Sequence, residues 1–145
     1  MKKKYLAFLI CLSFFIGCSS NIEQVNKQEN SVSIKENQVL NIEKISINGK
    51  IYNIQNAESR PNITFSTDKF YGSSGCNRFF GTYQKNSNLL SIGEQSVAST
   101  QMLCYPADVM EFERLFLTNL RGSFKILNQD GKLILDNDTM KIFFE

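Results

Sequence analysis

Apolar and polar positions alternate in short runs along most of this chain, and one stretch departs from that two-residue period. Leu40 to Ile47 alternates up to Asn48-Gly49, and Ile51-Tyr52-Asn53-Ile54 resumes the pattern. Asn-Gly between two such runs predicts a hairpin, because both central residues must take positive φ. Further strands are predicted over Asn62 to Ser66, Lys69 to Gly72, Phe79 to Gln84, Leu89 to Gly93 and Gln95 to Thr100. From Pro106 to Leu120 the period becomes helical. Val109, Phe112, Leu115, Phe116 and Leu120 share one side, Glu111, Glu113 and Arg114 lie largely opposite, and Gly122 follows the end. Asp108 and Glu111 have the spacing of a capping box. Ser123 to Leu127, Lys132 to Asp136 and Met140 to Phe144 then predict a meander turning at Asp130-Gly131 and Asn137-Asp138. Together these elements predict an α+β domain: a curved antiparallel β-sheet or partial barrel, closed or plugged by one amphipathic helix, with the meander at its C-terminal end.

The first 38 residues lack this alternation. Lys2-Lys3-Lys4 leads into an apolar run from Tyr5 to Ile16 that stops at Gly17-Cys18. A basic start, a short apolar region and small residues open to a peptidase form the layout of an export signal. Phe15-Ile16-Gly17-Cys18 resembles a lipobox, which implies that Cys18 carries acyl chains such as palmitate and begins the mature protein. An uncleaved anchor and an ordinary signal cut near Ser19 or Ser20 are the alternatives. The run falls short of the ~20 residues of a comfortable span, and no Ala-x-Ala precedes Ser20. Residues 18–38 are mostly Asn, Gln, Ser, Glu and Lys, with too little apolar surface to offset backbone ordering. They read as a flexible tether, or as a short element docked on the domain. The expected organisation is a signal peptide at 1–17, a tether at 18–38 and a domain at 39–145.

Charge and composition exclude several functions. Removing residues 1–17 takes Lys2, Lys3 and Lys4 and leaves 13 basic against 14 acidic residues, so the formal +2 of the whole chain belongs to the signal. The remaining basic residues are scattered, and nucleic acid is not an expected partner. The chain has no histidine, which excludes Ser-His-Asp and Cys-His machinery and leaves any zinc site half made. Gly72-Ser73-Ser74-Gly75 lacks the spacing and base of a nucleophile elbow, and no phosphate loop occurs. Asp68, Glu94 and Asp130 read as solvated turn charges. The expectation is a protein that is not an enzyme, with no cofactor and no metal.

The most distinctive segment is Gly75-Cys76-Asn77-Arg78-Phe79-Phe80-Gly81-Thr82-Tyr83. Gly72 and Gly75-Cys76-Asn77 tolerate left-handed backbone, Asn77 can hold a turn, and Gly81 marks a bulge or bend. The simplest reading is structural. A functional reading makes Asn77, Arg78 and Tyr83 a recognition turn. Of the four cysteines, Cys11 lies in the signal and Cys18 at the acylation point. Cys76 and Cys104 are expected to form a disulfide outside the cytoplasm, with buried reduced thiols as the alternative.

That segment, followed by Leu89-Leu90-Ser91-Ile92-Gly93 and by Ser99-Thr100-Gln101-Met102-Leu103-Cys104, resembles the META domain family, which includes the HslJ heat-shock lipoproteins. The family shares a Gly-Cys-Asn-x-Phe-x-Gly turn, a Thr-x-x-x-Cys stretch before the helix, and an acidic helix leading to a final hairpin. Asn48-Gly49, Glu113, Phe116 and Leu133-Ile134-Leu135 fall in the expected order, and the match covers about Leu40 to Glu145. The resemblance implies an envelope lipoprotein that works by contact and supports stress tolerance. Ser19 and Ser20, with no Asp at the second mature position, resemble the signal for transfer to the outer membrane of diderm bacteria, facing the periplasm. Expected partners are the membrane, through the lipid, and an envelope protein. Two other readings stay open: a half-barrel carrying a small apolar ligand among rings such as Phe65, Phe70 and Phe79, and an inhibitor of an envelope hydrolase presenting a rigid, disulfide-bearing loop.

Overall fold

The computed structural model describes residues 33–55 and 57–145. The signal peptide, Cys18 and most of the tether lie outside the described residues. Ten strands and one helix are present among those described: β1 (Val39–Ile47), β2 (Lys50–Tyr52), β3 (Asn62–Ser66), β4 (Lys69–Ser73), β5 (Arg78–Asn86), β6 (Leu89–Ile92), β7 (Ala98–Ser99), α1 (Ala107–Asn119), β8 (Gly122–Gln129), β9 (Lys132–Asp136) and β10 (Met140–Phe144).

The sheet closes. Its strands run β10-β9-β8-β6-β5-β4-β3-β1, and β1 also pairs with β10, so eight antiparallel strands form a ring. Closure depends on β1 changing partners. Val39 to Asn41 pair with β3, Ile42 to Ile47 pair with β10, and a bulge at Glu43 lies where the second pairing begins. β5 divides in the same way, pairing with β4 up to Thr82 and with β6 from Tyr83 onwards. A strand shared by two sheets forms a corner, and two corners bend a long sheet onto itself. The sequence expectation of a curved sheet or partial barrel is thus refined to a closed barrel, with β2 and β7 as additional strands on β1 and β5.

Turn residues act where their chemistry predicts. Asn48 and Gly49 have φ of 48° and 86°, and Asp130 and Gly131 have φ of 54° and 83°, the left-handed pairs that match hairpin twist. Gly72 is different. Its backbone is not left-handed; a Cβ there would lie 2.0 Å from the Asn62 carbonyl oxygen across the β3–β4 pair. Gly81 pairs regularly with Phe70 just before β5 changes partners, and the Phe70 ring occupies the space its side chain would need.

Inward positions of the strands fill the barrel. Phe65, Phe70, Phe79, Phe116, Phe124 and Phe144 are fully buried with Ile45, Ile63, Leu90 and Leu135. Phe79 meets Phe116 of α1 edge to face at 5.3 Å between centroids, which brings the helix into the same core. Val109, Phe112 and Phe116 bury as the helical period predicts, followed by Leu120. Glu113, expected on the opposite side, is buried as well. The capping box does not form: the helix begins at Ala107 with Pro106 as its N-cap, so Asp108 lies inside the first turn, where its charge complements the helix dipole. The predicted strand over Gln95 to Thr100 shrinks to β7, and the one over Ile51 to Ile54 to β2. Before β1 the chain is already tied to the barrel. Glu36 accepts from the Thr67 N–H at 2.7 Å and hydroxyl at 2.8 Å, and the Asn37 N–H donates to the Phe65 carbonyl at 2.7 Å.

Candidate functional site

Between β4 and β5 the chain reverses through Ser74, Gly75, Cys76 and Asn77, and between β7 and α1 it crosses from Thr100 to Pro106 without regular structure. Gly75 has φ of 113°, a conformation open to glycine. The two segments are joined by the disulfide Cys76–Cys104, whose Cα atoms are 6.2 Å apart. Asn77 sits between them, fully buried. Its side-chain oxygen accepts from the Met102 N–H and the Thr100 hydroxyl, each at 2.7 Å. Its amide nitrogen donates to Glu113 at 2.7 Å and to the Met102 carbonyl at 3.1 Å. The other Glu113 oxygen accepts from the Asn77 N–H at 3.1 Å and from the Ser74 hydroxyl. Glu113 has no cationic partner among the described residues; its carboxylate is compensated by these donors, which is how a buried polar group is retained.

The proposed recognition residues therefore separate. Asn77 is an internal fastener with no surface to offer. Arg78 is exposed and lines an open groove of about 620 Å³ with Glu58, Ser59, Ser73, Thr100 and Met102, and its guanidinium has no ion-pair partner among the described residues. Tyr83 lies five positions along β5 on the other side of the strand. Its ring packs edge to face on Phe65 at 5.1 Å, beside a second groove of about 480 Å³. Burial pushes its phenol pKa upward, and the carboxylates of Glu36 and Asp68 add to that shift.

Sequence reasoning missed the role of Glu113 as the buried anchor of the turn, because the apolar stripe of α1 accounts for its partners and assigns the acid to solvent. It also missed the exposed apolar cluster next to the disulfide. Met102, Leu103 and Tyr105 are 53%, 75% and 73% exposed, unusual values for three large side chains on one short loop.

The family model that describes the META domain matches residues 41–144. No curated protein matches the chain. A protein from Burkholderia xenovorans solved by NMR is similar, with 20% identity, a TM-score of 0.60, and coverage of 76% of this chain and 81% of that one. A second NMR structure is 22% identical, with a TM-score of 0.58 and coverage of 76% and 89%. At such identities these likenesses speak for the fold alone. The family assignment rests on the model match, which spans nearly the whole barrel together with the Asn77–Glu113 junction: the chain belongs to the META domain family.

Proposed function

We propose that this protein is a lipid-anchored, non-enzymatic binding module of the cell envelope, acylated at Cys18 and acting through surface contact in support of stress tolerance. The carrying observation is the filled barrel. Six fully buried phenylalanines and the aliphatic residues around them occupy the interior where an apolar ligand would sit, which favours surface contact over ligand carriage. Three large apolar side chains left outside, Met102, Leu103 and Tyr105, lie together on the loop beside the Arg78 groove. The only carboxylate buried at the junction among the described residues is engaged by three donors, which supports a structural role over acid or base chemistry.

Two measurements test this. Mass spectrometry of membrane-extracted protein should find an acylated Cys18 as the first residue, and Cys18→Ala should move the protein out of the membrane fraction. A photoreactive residue at position 102 should cross-link an envelope component in intact cells, and the same probe at Lys85 on the far end of β5 should not. Unprocessed protein in the cytosol, or equal labelling from both positions, sinks the reading.

A further inference from the structure

β7 and the chain after it run along β5 as an outermost strand. Ala98 and Ser99 lie opposite Phe80 and Phe79, and the Thr100 N–H donates to the Arg78 carbonyl at 3.0 Å. Just before β5 begins, the Asn77 side chain takes over as the pairing partner, bonding both the N–H and the C=O of Met102. A residue whose N–H and C=O face the same side is extended, and its neighbours turn theirs the opposite way. The backbone groups of Gln101 and Leu103 therefore face outward, and those of Leu103 meet no protein partner among the described residues.

Edge strands are normally guarded by Lys, Pro or an inward charge. β2, the other added strand, begins with Lys50, whereas Ala98-Ser99-Thr100-Gln101-Met102-Leu103 carries neither charge nor proline. The unguarded edge ends on Leu103, the most exposed large apolar side chain described. Its conformation is set in advance, by Asn77 on one side and by Cys104, 3% exposed and bonded to Cys76, on the other. Such preorganisation lowers the ordering cost of binding. The hydrocarbon of a bilayer would accept the side chains but leave the outward N–H and C=O groups unmet. A polypeptide edge satisfies both.

We propose that Ala98–Leu103 is a ready-made strand for the substrate cleft of a peptidase, with Leu103 entering a specificity pocket that takes a large apolar side chain. Peptidase clefts that read extended substrates pair with the backbone and select on one side chain, which is strand addition with a pocket. Buried Cys104 holds the following chain against the domain, so the strand fills the cleft and resists being cut. This inference rests on the contact reading above and names the class of partner.

The test measures inhibition of chymotrypsin and subtilisin, which favour apolar residues, with trypsin as the counter-probe. Wild-type protein should inhibit the first two at near-stoichiometric ratios, stay intact, and leave trypsin unaffected. Leu103→Asp should weaken inhibition at least 100-fold, and Leu103→Lys should transfer it to trypsin, with unchanged urea midpoints showing that both variants remain folded. No inhibition of either apolar-specific enzyme, no gain against trypsin, or an edge occupied by a second copy of the chain in sedimentation overturns the proposal. Position-102 cross-linking that persists without inhibition removes the peptidase and leaves the contact module. Loss of Cys18 acylation with inhibition intact does the reverse.

Discussion

The meander of β8, β9 and β10 and the junction around Asn77 are held together by different chemistry. In the meander, backbone meets backbone. Lys125 to Gln129 pair in sequence with Lys132 to Asp136, and Ile134 to Asp136 with Lys141 to Phe143, while inward Phe124, Leu135 and Ile142 bury apolar area. At the junction the backbone of Met102 pairs with a side chain, a buried carboxylate organises the opposite turn, and a covalent bond closes the arrangement. Regular pairing spreads stability over many equivalent contacts. The junction concentrates it in Asn77, Glu113 and one disulfide, and that concentration is what frees the loop to expose Leu103 without losing its shape.

The largest expected effect separates the two regions directly. The cysteines are 28 positions apart, a loop whose closure entropy corresponds to about 3–4 kcal/mol. Cys76→Ser with Cys104→Ser should lower stability by roughly that amount in urea titration. Amide exchange should quicken most from Ala98 to Tyr105. Equal quickening in β8–β10, corrected for global stability, would show that the junction is not a separate element.

Asn77→Ala should come next, at about 2–3 kcal/mol, because both Met102 backbone groups lose their partner and Glu113 loses a donor in a buried place. Glu113→Gln keeps the volume but turns an amide donor toward groups that already donate, and should cost about 1–2 kcal/mol. The double variant should destabilise less than the sum, since each single change disables the same network. Additive costs in a double-mutant cycle would mean that the two residues act independently.

Legibility in the sequence follows the same division. Strand alternation, Asn48-Gly49 and Asp130-Gly131 announce the barrel, since period and turn chemistry are local and the backbone follows them. Gly81 is legible as a residue close to the corner of β5. Gly72 is legible as a glycine but not for its reason, which is the approach of Asn62 from β3. The capping box fails because Asp108 and Glu111 carry the spacing without the register: Pro106 starts the helix two residues earlier. Glu113 stays hidden because a carboxylate on an amphipathic helix signals solvent unless its donors are known, and they come from residues 36 to 39 positions away. The motif shared with the META domain family points to Asn77, but only contact geometry shows that it faces inward and that Leu103 faces out.

The smallest expected effect tests the meander from its polar side. Burial alone would raise the Asp136 pKa, but the Lys141 ammonium at 2.6 Å, the Asp138 N–H at 2.9 Å and the positive charges of Lys141 and Lys125 outweigh it and hold the carboxyl below its ordinary range. A depressed carboxyl stabilises the fold above the unfolded-state value of about 4, and that contribution is lost as pH falls through the lower folded value. Wild-type stability should therefore decline below about pH 4, and Asp136→Asn should flatten part of that decline. At pH 7 the variant should cost only about 1 kcal/mol, because the Lys141 side chain is half exposed and solvent screens the pair. Urea midpoints at pH 3.5 and pH 7 for both proteins measure the difference. A meander held by backbone pairing and apolar burial should hardly register the loss of one carboxylate, so a cost near that of Asn77→Ala would erase the contrast between the two regions.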